Sequence, residues 1–167
     1  MDAKKNQRGF SLIEILIVVV IIGIIAAIAV PNLLASRRAA NEAATISNLR
    51  TIGQAQATFM ASQSRYADEL FELGRAGLVD STLSTINGPF IVKGGYNYIH
   101  NRIAATATDP ELFDTIAFPV SATGAGATGT RSFYSNEHGV IYGLAGADPP
   151  GGTSGTVRVP TTGSPIG

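Results

Sequence analysis

The sequence predicts an α+β fold in which one long N-terminal helix packs on a small antiparallel sheet of three to four strands. An apolar run from Phe10 to Val30 continues into a helical pattern that reaches Ser62. Beyond residue 90, short runs of β-branched and aromatic residues alternate with glycine-containing turns, a pattern typical of antiparallel strands. A small sheet with one apolar face needs a cover, and the amphipathic second half of the helix can provide it.

The apolar run is long enough to cross a membrane. It has 21 residues and one charge, Glu14, and it is closed by Pro31. As a helix it covers about 30 Å, the thickness of the hydrocarbon layer of a bilayer. Residues 1–9 form a leader whose charges are Lys4, Lys5 and Arg8 against Asp2. Because basic flanks stay on the cytoplasmic side, we expect the rest of the chain to lie outside.

Glu14 needs a reason to lie inside an apolar helix. An unpaired carboxylate at depth in a membrane costs about 2.5 kcal/mol or more. Cleavage between Gly9 and Phe10 would create an α-amino group on Phe10, one helical turn before Glu14. That amine could neutralise the carboxylate of the same chain or of a neighbouring chain.

The string Gly-Phe-Ser-Leu-Ile-Glu at residues 9–14, with its basic leader and the helix ending at Pro31, resembles the start of type IV pilins and type II secretion pseudopilins. The resemblance implies that a prepilin peptidase cuts after Gly9 and methylates the amine of Phe10. It also implies that Glu14 pairs with the N-terminus of a neighbour in a helical homopolymer built by an assembly platform. Close matching covers roughly the first third of the chain.

Two other interpretations compete for the same stretch. A secretory signal peptide could be cut after Ala27-Ile28-Ala29, releasing a chain that starts near Val30. Against it stand Glu14 and a run longer than the usual apolar region of a signal peptide. An ordinary uncleaved anchor would leave Glu14 and the Gly9–Phe10 bond without a role.

Pro31 should kink the helix or leave a weak point, because proline lacks a backbone donor. From Asn32 to Ser62 the apolar residues fall mostly at three- and four-residue steps, which predicts an amphipathic helix. The two halves together would be about 80 Å long. The predicted solvent-facing side of the amphipathic half contains Arg37, Arg38, Glu42 and Arg50. Glu42 and Arg38 have the spacing of a weak surface ion pair.

After the long helix, the sequence predicts a short helix capped by Asp68 and then several strands. The segment from Tyr66 to Asp80 also resembles the one that follows the long helix in many pilins. The strand signals are at residues 90–92, 96–99, 115–118, 131–134 and 140–142, with a flexible loop at 124–129. From Gly146 onward we expect a mobile tail, with at most an extended piece at 156–159.

No catalytic constellation stands out, so an enzyme is not predicted, and neither a cofactor nor a metal is expected. His100 and His138 are interpreted as structural or solvated. Asp109, Glu111 and Asp114 could bind a hard cation, as some pseudopilins bind calcium, but a solvated charge run is the favoured interpretation. The chain has no cysteine, whereas many pilins close a C-terminal loop with a disulfide. Removal of the leader leaves nine basic against eleven acidic residues, which is no electrostatic footprint for a nucleic acid.

The sequence therefore favours a structural subunit of a type IV pilus that serves adhesion, motility or DNA uptake. It would be an inner-membrane protein before assembly and part of an extracellular pilus afterwards. Two alternatives stay open: a pseudopilin in a periplasmic filament, and a membrane-tethered binding module that does not polymerise. The expected segments are a leader (1–9), an assembly helix (10–30), an amphipathic half-helix (31–64), an α+β head (65–145) and a tail (146–167).

Overall fold

The computed structural model describes residues 10–85, 90–146 and 163–166. The chain forms two compact units, Met1–Ser36 and Arg37–Gly167. The first helix, α1, spans Leu12–Gln63 and contributes to both. Its 52 residues continue through Pro31, so the predicted long helix is confirmed.

Two short helical segments follow α1. Helix α2 spans Leu70–Arg75 and a 3₁₀ helix spans Ser81–Leu83. The prediction that Asp68 caps the short helix is wrong: Glu69 holds the N-cap position without a side-chain cap, and the Asp68 carboxylate forms an ion pair with Arg102. The attraction of a nearby guanidinium outweighs a cap at an exposed helix end.

In the part of the chain that the structure describes, the head contains one antiparallel sheet of six strands in sequential order, each hydrogen-bonded to the next. The strands are β1 (Ile91–Lys93), β2 (Tyr96–Ile103), β3 (Leu112–Pro119), β4 (Arg131–Asn136), β5 (Ile141–Ala145) and β6 (Ser164–Ile166). The architecture of one helix on one sheet is as predicted, but the count of three to four strands is too low.

Strand β6 is the element that the sequence interpretation missed. It lies within the region expected to be a mobile tail, yet Ile166 pairs with Ile141 of β5. A three-residue Ser-Pro-Ile strand has no alternating pattern to reveal it, and only pairing with β5 defines it. The extended piece expected at 156–159 lies outside the described residues.

The strand signals at residues 90–92 and 96–99 correspond to β1 and β2, which pair as a hairpin whose turn explains the register. Lys93 pairs with Tyr96, and the two residues between them, Gly94 and Gly95, both have positive φ (60° and 78°). Two consecutive residues of this kind form the turn that matches the twist of an antiparallel pair. The turn thereby sets which face of β2 points toward α1.

The core of the head lies between the second half of α1 and one face of the sheet. Leu49, Ile52 and Phe59 of α1 belong to the same buried cluster as Tyr96, Tyr98 and Phe133 of β2 and β4. The buried residues of the helix recur every three or four positions, and those of the strands recur every second position. This is the pattern expected when one face of a helix packs on one face of a sheet. The buried aromatic residues of the strands serve packing.

Candidate processing and assembly site

The start of α1 brings together two of the predicted site residues. Phe10 is 81% exposed and lies two residues before the helix, and Glu14 lies in its first turn. The backbone N–H of Ser11 donates a 2.9 Å hydrogen bond to Oε2 of Glu14. The backbone N–H of Glu14 in turn donates to the carbonyl of Ser11 at 3.1 Å. A carboxylate here satisfies an otherwise unpaired amide and complements the positive end of the helix dipole.

Ser11 is a site residue that sequence reasoning missed. The Ser-x-x-Glu spacing of residues 11 and 14 is a capping-box signature, and it is the signal that could have revealed this bond. Gly9 lies outside the described residues. Pro31 lies inside α1, exposed, in a helix that continues on both sides of it.

The apolar first half of α1 is exposed along its length. Large side chains from Leu12 to Val30 range from 50% exposed at Val18 to 83% at Leu12. By length and composition α1 contains a stretch apolar enough to cross a membrane, and none of that stretch is buried within the described structure. Soluble monomers rarely expose contiguous apolar patches above a few hundred Å². This surface requires lipid or other protein around it.

Within the second compact unit, Glu42 of α1 is buried, and its partners are Thr130, at the end of the loop before β4, and Arg131, the first residue of β4. Its Oε1 accepts 2.8 Å hydrogen bonds from the backbone N–H and the hydroxyl of Thr130. Its Oε2 accepts a 2.8 Å bond from Nε of Arg131. Burial alone would raise the pKa of Glu42, but the hydrogen bonds from Thr130 and Arg131 outweigh it and hold the pKa below the ordinary value.

Arg38 and Asn41, which lie four residues and one residue before Glu42 on α1, bind the same loop. Arg38 donates to the carbonyl of Gly124 at 2.9 Å and to that of Ala127 at 3.3 Å. The side-chain amide of Asn41 donates to the carbonyl of Thr128 at 2.8 Å. The predicted surface pair of Arg38 with Glu42 is therefore wrong, since each residue is engaged by the loop instead. We use the name clasp for helix residues 38, 41 and 42 together with residues 120–131, which are the loop between β3 and β4 and the first residue of β4.

His100 has a structural role, in line with its prediction. Gln56 pairs with the backbone of Ala67, accepting from its N–H at 2.9 Å and donating to its carbonyl at 3.3 Å. Nε2 of His100 lies 2.7 Å from the same amide nitrogen of Gln56 and 3.1 Å from the carbonyl oxygen of Ala67. Nδ1 of the ring lies 2.9 Å from the Thr115 hydroxyl. Burial lowers the pKa of His100 to about 4.

The acidic cluster has protein partners. Glu111 forms an ion pair with Arg102, and Asp114 accepts a 3.0 Å bond from Asn101. The interpretation as a solvated charge run is wrong for Asp114, which is buried. Across residues 10–85, 90–146 and 163–166, no group of three or more His, Asp or Glu side chains is placed to hold a metal ion.

Comparison with known proteins bears on the helix start. A family model described as the prokaryotic N-terminal methylation motif matches residues 4–30. The type IV major pilin protein PilA of Myxococcus xanthus is 34% identical over 128 residues, or 77% of this chain and 51% of the relative. The type II secretion system core protein G of Klebsiella pneumoniae is 33% identical over 92 residues, 55% of this chain and 64% of the relative. The chain is thus similar to a type IV major pilin and to a core protein of a type II secretion system.

The family match covers the residues that the sequence singled out. The matched residues 4–30 contain Gly9, Phe10 and Glu14, so the predicted resemblance is confirmed. The type IV wide pilus major component PilA4 of Thermus thermophilus is also similar, 38% identical over 74 residues, which are 44% of this chain and 56% of the relative. The chain spans between about half and two thirds of the lengths of these relatives.

Proposed function

We propose that the chain is a prepilin, cut between Gly9 and Phe10 and methylated on Phe10, that becomes a structural subunit of a type IV pilus. The observation that carries the proposal is the exposed apolar half of α1 with one acidic residue in its first turn. In the inner membrane, lipid covers this surface before assembly. In the filament, the same surface packs against the helices of neighbouring subunits.

Glu14 supplies the electrostatic part of assembly. Its carboxylate already accepts the N–H of Ser11 and has capacity for further donors. The ammonium that cleavage creates on Phe10 of a neighbouring subunit is the donor that we assign to it. A charged hydrogen bond of this kind is worth about 1.5–3 kcal/mol, and more when water is excluded.

The proposed partners follow from this scheme. They are other copies of the chain, a prepilin peptidase that is also the methyltransferase, an assembly platform, and the inner membrane. We further propose the division into leader (1–9), assembly helix (10–30), amphipathic half-helix (31–64), head (65–145) and tail (146–167). The relatives are named as pilus and secretion-system components and not as enzymes. We propose no catalytic role and no direct nucleic-acid ligand.

A pseudopilin is the second candidate, supported by the similarity to secretion protein G. Both candidates use the same helix start, so the test must measure which process the chain serves, the formation of surface fibres or the secretion of exoproteins. We expect deletion of the gene to remove surface fibres that contain the chain, with secretion of exoproteins intact. Loss of secretion without loss of fibres would assign the chain to the secretion system. A membrane-tethered module would leave both fibres and secretion unchanged.

Processing and assembly can be separated with the unsubstituted full chain and two variants of it. Intact mass and N-terminal sequencing should give a mature chain that starts with methylated Phe10. Glu14→Ala should be inserted and cut but should give about tenfold fewer filaments, because a charged hydrogen bond is lost. Glu14→Gln keeps an oxygen that can accept from Ser11 but has no charge. If it assembles normally, capping rather than charge is what assembly needs, and the proposed pairing with the ammonium is wrong.

A further inference from the structure

The second compact unit begins at Arg37, a short distance along the chain from the apolar run that ends at Val30. The six residues between them cover about 10 Å as a helix and at most about 25 Å when fully extended. Whatever the orientation of the two units, the end of the second unit that contains Arg37 stays within this distance of the apolar run. It therefore stays close to the surface of any membrane that the run crosses.

The clasp and the turn between β1 and β2 lie together at that end. The backbone N–H of Val120 donates a 3.0 Å hydrogen bond to the carbonyl of Gly95. A Cβ built on Gly95 would lie only 3.1 Å from Nδ2 of Asn41, so the turn also lies against α1. We use the name near end for Arg37, the clasp and residues 92–95.

The four basic side chains of the near end differ in whether a carboxylate neutralises them. Arg131 and Lys93 each form an ion pair. Arg38 donates instead to two backbone carbonyls, which carry no charge, and Arg37 is exposed. Among the described residues, no carboxylate forms an ion pair with either of these two arginines. The near end therefore keeps two positive charges.

The opposite end of the head is acidic. Strand β2 begins beside the β1–β2 turn and ends at Ile103, where it pairs with the start of β3. Arg65 and Arg102 lie at this end, together with the carboxylates of Asp68, Glu72, Asp109, Glu111, Asp114 and Glu137. A negatively charged surface would therefore attract the near end of the head and repel the opposite end.

We propose that the near end docks on anionic lipid headgroups of the membrane that holds the apolar half of α1, before the chain is assembled. Arg37 and Arg38 face the lipid phosphates. Val92 and Val120, which are 44% and 52% exposed, lie against the headgroup layer. Residues 121–130 contain no charged side chain, so the loop can approach the lipid without the cost of desolvating a charge. The inference rests on the proposed membrane insertion of residues 10–30 and not on filament formation.

A lipid surface fits the near end better than a second copy of the chain does. The short connection to the apolar run keeps the near end beside the membrane at all times, so docking is an intramolecular event with a high effective concentration. A second copy must first diffuse to the same place. Each arginine near an anionic membrane surface changes the ratio of docked to free heads about fivefold.

Quenching of a fluorophore by spin-labelled lipid headgroups tests the docking on the full chain in vesicles. Because the chain has no cysteine, Ala125→Cys places one label in the loop of the near end, and Ala105→Cys places another beyond β2 at the opposite end. We expect strong quenching at residue 125 and weak quenching at residue 105 in vesicles that contain phosphatidylglycerol. Quenching at residue 125 should fall in pure phosphatidylcholine, and also when salt is raised from about 0.05 to about 0.5 M. A connection without docking would respond to neither change.

Arg37→Gln should lower the ratio of docked to free heads about fivefold in the anionic vesicles and leave it unchanged in phosphatidylcholine. Arg75→Gln is the matched control, because it removes an exposed arginine of α2 and changes the net charge equally. Equal quenching of residue 125 in the two lipids, or an equal loss in the two variants, would overturn the proposal. So would quenching that appears only at a high ratio of protein to lipid, since a second copy would then cover the near end.

Recovery of the chain with the vesicles shows whether residues 10–30 have inserted. A chain that fails to insert contradicts the proposed function, and this inference with it. An inserted chain whose quenching does not depend on anionic lipid contradicts the docking alone.

Discussion

The carboxylate of Glu42, in the middle of α1, accepts a 2.8 Å hydrogen bond from Nε of Arg131, the first residue of β4. These two residues are 89 positions apart in the chain. Glu42 is buried while Arg131 keeps 45% of its side chain exposed. The carboxylate has therefore left water almost completely, and it relies on its protein donors to remain charged.

Glu42→Gln should destabilise the head by about 1–3 kcal/mol, because three donors, two of Thr130 and one of Arg131, lose a charged acceptor. The partial exposure of Arg131 keeps the value below that of a fully buried pair. Thermal and urea unfolding of the full chain in micelles would measure the difference. Glu69→Gln is the matched control, because Glu69 is exposed and makes no side-chain cap to α2. Equal stability of the two variants would contradict the prediction.

Acid should weaken the head through His100. The folded ring has a pKa of about 4 because it is buried, against an ordinary value of 6.5. Between these pH values the unfolded chain binds a proton that the folded chain refuses, so stability falls as pH falls from 6.5 toward 4. The full effect is about 3 kcal/mol. The pKa values of Glu42 and Glu72 are lowered from 4.5, so neither contributes in the upper part of that window.

The variant His100→Asn tests this pH dependence. Asparagine keeps a polar side chain that can both donate and accept hydrogen bonds, but it cannot titrate. We expect its unfolding midpoint in urea to change little between pH 6.5 and about 5, where that of the unsubstituted chain falls. His138→Asn is the control, because His138 is 73% exposed. A slope that persists in His100→Asn would mean that another group carries the acid sensitivity.

Asp80 joins the 3₁₀ helix to β1 by two separable interactions. Its carboxylate accepts from the backbone N–H groups of Thr82 and Leu83, and it forms an ion pair with Lys93. The hydrogen bond from Lys93 is the main cause that holds the pKa of Asp80 well below its usual range. Because the side chain is 55% exposed, the ion pair should stabilise the head little.

Asp80→Asn should therefore cost about 0.5 kcal/mol, since asparagine still caps, whereas Asp80→Ala should cost about 1 kcal/mol or more. Raising the salt concentration from about 0.05 to about 1 M should reduce the difference between the unsubstituted chain and Asp80→Asn. Urea unfolding at both concentrations provides the measurement. Equal losses in the two variants would show that the ion pair dominates over the cap.

The elements with a regular pattern could be predicted from the sequence. The periodicity of apolar residues in α1 indicates a helix, and the glycine pair before Tyr96 indicates a turn. Both signals are local, and both agree with the structure. The helix start was also predictable, since Phe10 and Glu14 are close in sequence. Strand β6 was not, because it is defined by pairing with β5 and not by its own composition.

The errors at Glu42, Asp68 and Asp114 have one physical cause. Each is a charged side chain that was expected at a solvated or capping position, and each instead binds a partner that lies distant in the sequence or across the sheet. The periodicity of apolar residues identifies the buried face of a helix only where the buried side chains are themselves apolar. It cannot identify a buried carboxylate, whose burial depends on donors that only the tertiary structure supplies.

Gly129 and Tyr96 are in a contact that leaves no room for a side chain. A Cβ built on Gly129 would lie 2.0 Å from the hydroxyl oxygen of Tyr96 and 2.6 Å from its Cζ. Tyr96 is fully buried, and its hydroxyl donates a 2.8 Å bond to the carbonyl of Arg131. The close approach thus sets the path of the chain into Thr130 and Arg131, the partners of Glu42.

Gly129→Ala should destabilise the head by about 1–3 kcal/mol, because either the buried ring or the loop backbone must move. Gly126→Ala is the control in the same loop, where an added Cβ meets nothing within 4 Å. Because the displaced loop carries Thr130, the loss should be smaller when it is measured in a Glu42→Gln background, where the clasp is already weakened. Urea unfolding of the four chains gives that coupling as a double-mutant cycle. Strictly additive losses would mean that Gly129 serves the packing of Tyr96 alone and has no part in positioning the clasp.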